Sequence, residues 1–189
     1  EWIKDYLDAG KLGRLFSFHQ ERMKLGRARL TENVLWSLGV HDVAVLLYLC
    51  GCAPVATSFS GHCGLQEDIA DDTYLHMTFP GKLKAYLHNS WLWPENRRRL
   101  TVVGEKGMLV YNELEQNIIM HRKSIDEDLQ NQDRGEEIVF EGSGQPLKLE
   151  MEHFIECIKT RATPRSDGSN GLDVVRILES VTPTHIVGR

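Results

Sequence analysis

Nothing in these 189 residues spells a nucleotide cradle. A dinucleotide site needs a strand, a glycine-rich turn and a helix whose N-terminus meets the diphosphate. Here Gly10-Lys11-Leu12-Gly13 follows a helical pattern rather than a strand, and Gly142-Ser143-Gly144 lies in a polar stretch that leads to Pro146. There is no triphosphate loop and no nucleophile elbow, so those two chemistries have no residues to start from. Cysteine is scarce: Cys50 and Cys52 are separated by one residue, not two, which excludes the redox and zinc-ribbon spacings, and Cys63 and Cys157 stand apart. Free thiols are therefore expected, and with them a reducing compartment, the cytoplasm. His62 and Cys63 are adjacent, poor geometry for chelating one ion, so no metal site is expected. Basic charge is also short, with 22 Lys and Arg against 27 Asp and Glu and a net charge of −5, which argues against a nucleic-acid surface. The densest basic run, Arg97-Arg98-Arg99 beside Glu95, reads more readily as a solvated edge or interface than as a phosphate track. No apolar run approaches the roughly 18 residues of a membrane span, so no membrane partner is expected. The chain opens in mid-pattern at Glu1-Trp2 without an apolar signal segment, a start that suggests material removed upstream.

What is present is ordinary globular composition: 41% hydrophobic and 26% charged residues. A chain of this length buries roughly two thirds of its unfolded surface and needs no metal or disulfide to fold. The expected organisation is one domain over residues 1–189, with residues 1–10 the remnant of a linker helix. Helical spacing covers residues 2–7, stopped at Gly10. Alternation of Phe16 and Phe18 with Ser17 and His19 predicts a strand over about 14–23. The run 43–50 is apolar on nearly every side; Asp42 suits its first turn and Gly51 its end, so it is read as a buried helix. Strands are predicted over about 55–59, 73–79 and 83–91, and a hairpin over 100–111 around Gly104-Glu105-Lys106-Gly107. Residues 125–144 read as loop. Leu147, Met151, Phe154, Ile155 and Ile158 recur at helical spacing and predict a helix with one buried stripe; a last helix over 171–181 is expected to turn Leu172, Val175, Leu178 and Val181 inward. The fold class is α+β: a large, mostly antiparallel, open-faced sheet of five or more strands with helices packed on one face.

The segment with most chemical content is Glu32-Asn33-Val34-Leu35-Trp36-Ser37-Leu38-Gly39-Val40-His41-Asp42. It places a histidine at a junction leading into a helix, next to an acid. Histidine is the natural proton shuttle near neutral pH. Asp42 can orient the imidazole, cap the helix or do neither, and His41 can itself be a packing residue. Arg22 suits a sugar carboxylate or a diphosphate because its planar fork matches paired oxygens, or it is an exposed edge charge. Trp91 and Trp93 alternate in facing, one for the core and one for a sugar or a neighbouring subunit.

This segment resembles the active-site histidine stretch of the C-terminal domain of the glucose–fructose oxidoreductase / inositol dehydrogenase (Gfo/Idh/MocA) family. The resemblance runs along most of the chain. Tyr6-Leu7-Asp8-Ala9-Gly10-Lys11-Leu12-Gly13-Arg14 is similar to the family's entry into this domain. Ser90-Trp91 through Arg99 and Val102-Val103-Gly104-Glu105-Lys106-Gly107 are similar to its strands and hairpin, and Pro146-Leu147, Glu150, residues 153–158, Pro164 and Asp167-Gly168 to its closing helices. The resemblance implies an NAD(P)-dependent sugar dehydrogenase whose N-terminal Rossmann domain is missing here. NAD or NADP would belong to the full-length enzyme, with no coenzyme bound by this fragment. The substrate would be a sugar or nucleotide sugar, and the enzyme a homo-oligomer, dimer or tetramer, through the open sheet face. It implies His41 as the catalytic residue, and Arg22, Asn33, Trp36 and Ser37 as substrate-binding positions. Many members carry an aspartate four positions before the histidine; here that position is Ser37, which counts against a histidine–aspartate relay. The Trp36-Ser37 pair is similar to the branch acting on nucleotide-linked amino sugars and uronates. The alternative is a non-catalytic oligomerisation or interaction module that keeps the fold.

Overall fold

A computed structural model describes residues 1–182. Its frame is one eight-stranded sheet. The strands are β1 (Leu15–Met23), β2 (Ala56–His62), β3 (Asp72–Thr78), β4 (Lys84–Ser90), β5 (Arg97–Gly104), β6 (Gly107–Asn112), β7 (Asn117–Ile125) and β8 (Asn131–Glu141). They lie in the order β2-β3-β4-β1-β5-β6-β7-β8. Every neighbouring pair is antiparallel except β1 with β4. Parallel neighbours need a crossover rather than a hairpin, and the chain supplies it by passing through a π-helical turn (Leu35–Gly39) and α2 (Val40–Cys50) before β2. α1 (Trp2–Asp8), α3 (Pro146–Thr160) and α4 (Gly168–Val181) complete the helices, which lie on one face of the sheet.

The alternation read in the strands sorts the core. Phe18 on β1, Leu75 and Met77 on β3, Ala85 and Leu87 on β4, Leu100 and Val102 on β5 and Leu109 on β6 are buried with Val43, Leu46, Leu47 and Leu49 of α2. That is why α2 is apolar almost all round: the sheet covers one side, and α1 and α4 cover others. Gly51 ends it in the left-handed conformation (φ 67°) that glycine adopts without penalty. Gly39 marks the tightest approach of this crossover to the sheet. A Cβ there would lie 2.5 Å from Leu35 Cδ1 and 2.6 Å from Asn89 Oδ1 on β4.

Four sequence expectations are corrected. Phe16 does not share a face with Phe18: the β1–β5 register slips between Leu15 and Ser17, so Phe16 sits in a bulge and is exposed while Phe18 is sealed. Residues 125–144 are not loop; most of them form β8, paired to β7. β8 escaped notice because nearly all of it is exposed on both faces, so it has no apolar alternation to read. It is held by the backbone ladder, by charge pairs such as Lys123–Asp133 (3.2 Å) and by the contact of His121 with Glu136 (2.9 Å). The α3 stripe is not buried: Leu147 is 71% and Ile158 59% exposed, with Met151, Phe154 and Ile155 also exposed, and Cys157 is the one buried residue of the helix. On α4 the inward residues are Val174, Ile177 and Leu178; Leu172 and Val175 face solvent.

Gly39→Ala is expected to destabilise the chain by about 1–3 kcal/mol through overpacking against Leu35 and Asn89. A urea unfolding midpoint that drops with unchanged slope checks this; an unmoved midpoint would mean the crossover is not pressed onto β4.

Candidate functional site

The π-helical turn and the start of α2 set the site. Asn33 caps the turn, its Oδ1 accepting the Trp36 N–H at 3.0 Å. The Val40 N–H then reaches back to the Leu35 carbonyl, five residues away. One extra residue in a helical turn rotates everything after it by about 100°, and such π-turns are common at functional sites. The outcome here is a division of labour between neighbours: Asp42 is sealed inside the protein and His41 is exposed.

Asp42 is 0% exposed and accepts three side-chain bonds from two strands. Gln20 Nε2 (3.0 Å) and Arg22 Nε (2.8 Å), both on β1, donate to Oδ1; Asn89 Nδ2 on β4 donates to Oδ2 at 2.8 Å. Arg22 extends the network, giving Nη2 to Glu113 at 2.8 Å and Nη1 at 3.3 Å, while Arg98 of β5 reaches the same carboxylate at 2.8 Å. Burial raises the Asp42 carboxyl above its ordinary value, opposed by the Arg22 guanidinium. Burial also pushes Glu113 up, but the bonds and charges of Arg22 and Arg98 outweigh it and hold Glu113 below its ordinary value. Gln20 Oε1 and Asn89 Oδ1 are buried with no partner among the described residues. Both amides thus give their N–H groups to Asp42 while their oxygens go unsatisfied, a local cost that holds the first turn of α2 against the sheet.

His41, by contrast, is exposed, and its imidazole has no protein hydrogen-bond partner among the described residues. Val45 lies one turn further along α2 and Tyr48 a second turn. There a cavity of about 280 Å³ opens between Ala44, Val45 and Tyr48 of α2, Glu1, and Arg165, Ser166 and Asn170 around the start of α4. Asp167 caps that helix by accepting the Asn170 N–H at 2.9 Å. A larger cavity, about 470 Å³, lies elsewhere: it is lined by Phe16, Val103 and Met108 under the β7–β8 turn, with none of the π-turn or α2 residues in its wall.

The other expected positions fare differently. The Trp36 indole N–H donates to Thr182 Oγ1 at 2.8 Å, which ties the π-turn to the end of α4. Ser37 Oγ points back to the Val34 carbonyl at 3.4 Å. Arg22 has its Nε, Nη1 and Nη2 engaged by two carboxylates and is 12% exposed. The structure therefore gathers His41, Trp36, Ser37 and Asn33 at one junction and draws Arg22 into the network beneath it. Of the arginine run, Arg97 pairs with Glu21 and Glu95, both at 3.3 Å, and Arg98 with Glu113, so two of the three are structural. Sequence reasoning missed Gln20, Asn89 and Glu113. The available signal was Gln20 and Arg22 at the inward positions that continue from Phe18, polar residues where alternation demands apolar ones.

Among the described residues no glycine-rich strand–helix corner exists: the one parallel strand pair is β1 with β4, and the glycine before α2 is pressed against Asn89. No group of three His, Cys, Asp or Glu among them could hold a metal ion. No described helix is long and apolar enough to cross a membrane.

The chain is an α+β domain with an open, mostly antiparallel sheet, helices on one face and a histidine exposed at the crossover, and the comparisons with known proteins give it a family. The model of the GFO/IDH/MocA C-terminal domain matches residues 1–110, more than half the chain, and the protein belongs to that family. Among solved structures it is similar to the UDP-N-acetylglucosamine 3-dehydrogenase of Acidithiobacillus ferrooxidans, with 24% identity over 95% of this chain and 58% of that one and a TM-score of 0.78. It is similar to the aldose–aldose oxidoreductase of Caulobacter crescentus at 20% identity, over 94% of this chain and 55% of that one, TM-score 0.74. An oxidoreductase domain protein of Kribbella flavida gives 14% identity, 95% and 58% coverage and a TM-score of 0.78. At these identities the likeness is one of fold, and the chain spans less than three fifths of each relative's length. No curated protein matches.

Glu113→Gln is expected to lower stability at neutral pH by about 1–2 kcal/mol, after allowance for its partial exposure, because it leaves Arg22 and Arg98 short of a charge. Glu113 has a lowered pKa in the fold, so its contribution is present above the ordinary value of 4.5 and is lost as pH falls through the lower, folded value. Thermal melts of both proteins should therefore converge in acid; a difference that persists there would place the effect in packing, not charge.

Proposed function

We propose that this chain is the substrate-side domain of an NAD(P)-dependent oxidoreductase that oxidises a sugar hydroxyl, with His41 as the proton acceptor. The observation that carries this reading is His41 itself: a solvent-facing imidazole with no protein partner, on a helix start nailed in place by a buried carboxylate one residue away. An exposed imidazole without a protein partner is suited to take a proton from a hydroxyl. The chemistry a nicotinamide coenzyme supplies is acceptance of hydride from the carbon bearing that hydroxyl, and the residues that hold it lie outside this chain. Ser37 bonds to Val34 and not to His41, so the imidazole works without an orienting carboxylate from that position. Within the family we favour nucleotide-linked amino sugars as substrate class, supported by the Trp36-Ser37 pair and by the fold shared with a protein whose name specifies UDP-N-acetylglucosamine. Asn33, Trp36 and Ser37 line the junction from which a sugar would be approached; Arg22 acts beneath it.

Two uncovered surfaces complete the reading. The apolar stripe of α3 needs a cover, since exposed apolar faces of this size mark docking sites. We assign it to the coenzyme-binding part of a longer polypeptide, with residues 1–10 as the linker that enters beside it: Glu1 pairs with Arg165, and Trp2 lies 6.2 Å from Phe140 at the end of β8. The outward face of the sheet is assigned to a second copy of the chain. Eight strands about 4.8 Å apart and some seven residues long make a face of about 900 Å², close to the roughly 800 Å² per partner of a standard stable interface. Val103, Met108, Ile119 and Ile138 supply its apolar half.

In the polypeptide containing the coenzyme domain, His41→Ala should cut turnover of UDP-N-acetylglucosamine by a factor on the order of 10²–10⁴ with the melting temperature unmoved; unchanged turnover returns His41 to a surface residue. In the same polypeptide, Phe154→Ser with Ile158→Ser should lower the melting temperature, whereas in the present chain the pair should be neutral or improve solubility. Equal effects in both would mean that α3 is not an interdomain surface.

A further inference from the structure

Three imidazoles share the outward face of three adjacent strands: His19 on β1, His76 on β3 and His88 on β4, each alternating with buried core residues. They interleave with tyrosines across the strands. The His19 ring stacks on Tyr86 at 5.0 Å, and His76 meets the other side of the same Tyr86 edge-on at 5.2 Å. His88 stacks on Tyr74 at 4.1 Å and meets Trp93 at 5.3 Å. This row lies on the face assigned above to a second copy, and the inference rests on that assignment.

The three differ in what compensates a charge. His88 has Asp72 at 3.2 Å, so its protonated form is paired in the fold. His19 and His76 have no carboxylate partner among the described residues. Around His19 lie Ser17, whose hydroxyl is 3.0 Å from its Nε2, Tyr86 of β4, Thr101 of β5 opposite it, and Glu21 two residues along β1. Glu21 is drawn toward Arg97 at 3.3 Å. Around His76 lie Ser58 of β2, Tyr86 of β4 and Tyr74 and Thr78 of its own strand; the nearby cation is Lys84, which is bonded to Thr78. Arg99 of β5 faces Glu21. The outward centre of the sheet therefore carries cations and neutral rings, with its acidic groups already engaged. Burial lowers the pKa of His19 even in the free chain, against the opposing effect of Glu21.

We infer that the sheet-to-sheet association of two copies is gated by protonation of His19 and His76, which must be neutral in the interface. In the free chain water solvates a charged imidazole at either position. Beneath a partner that water is gone, and none of the residues around His19 and His76 is a free carboxylate, so the charged form is disfavoured. A group whose pKa falls on association gives up its proton as the complex forms. Association is then strongest at the higher pH and is lost as pH falls through the free-chain value of His19, which burial already holds below the ordinary 6.5. A two-fold interface doubles the effect, because each contact brings two copies of each histidine.

Sedimentation velocity of the chain at about pH 8 and about pH 5.5, with circular dichroism at both, tests this. The expected result is a dimer at the higher pH, a dissociation constant at least about tenfold larger at the lower pH with the fold retained, and a His19→Gln/His76→Gln variant that associates equally at both. Dimers of equal affinity at both pH values overturn the gate and leave the assembly reading intact. A monomer at both overturns the assembly reading and the gate with it. Dissociation accompanied by unfolding, or persisting in the double variant, overturns the gate.

Discussion

Asp42 is a carboxylate placed where water cannot reach it, and the arrangement of the crossover depends on how it is compensated. Gln20, Arg22 and Asn89 converge on its two oxygens from β1 and β4, the one parallel pair in the sheet. The crossover that joins those strands is thus fastened to both of them at its midpoint. A buried ion pair is weak evidence for stability, because desolvation offsets much of the attraction and an apolar core of the same volume would often do as well. What such a cluster supplies is geometry. Two amide oxygens are left without partners to secure it, and Gly39 is pressed against one of them. The consequence is a helix start held at one rotation, in which Asp42 and Val43 are buried and His41, about 100° round the helix, is exposed.

The domain has two faces, the helix side and the outward side of the sheet. On the helix side, His41 is exposed, and a groove opens beside Val45 and Tyr48 against the residues at the start of α4. On the opposite side the sheet is aromatic and imidazole over β1, β3 and β4 and aliphatic at Val103, Met108, Ile119 and Ile138. Edge strand β8 is covered with charge and paired to β7 by ion pairs, which guards the end of the sheet against further strand addition.

Much of this was written in the sequence where burial is one-sided. β3 and β4 alternate cleanly because one face is core and the other is not, and the apolar run of residues 43–50 reported a helix covered all round. The boundaries of β5 and β6 followed from the glycines of their hairpin. Alternation failed where neither face is buried, as in β8, and at the β1 bulge, which puts Phe16 outside. Helical periodicity reported truly that α3 has an apolar side; it could not report that this side is left exposed. For the site, local sequence pointed to His41, Trp36, Ser37 and Asn33 because they are contiguous. Glu113 and Asn89 were invisible, since only the fold brings them within reach of Arg22 and Asp42 from 91 and 47 residues away.

The central claim is that the residue projected by this buried cluster is the one that meets the reacting hydroxyl. A crystal structure of the longer polypeptide with nicotinamide coenzyme and UDP-N-acetylglucosamine bound tests it most directly. The account predicts an imidazole nitrogen of His41 within about 3 Å of the sugar hydroxyl whose carbon faces the nicotinamide, with Asp42 still held by Gln20, Arg22 and Asn89. A bound sugar whose reacting hydroxyl is met by another group, with His41 left in solvent, would contradict it.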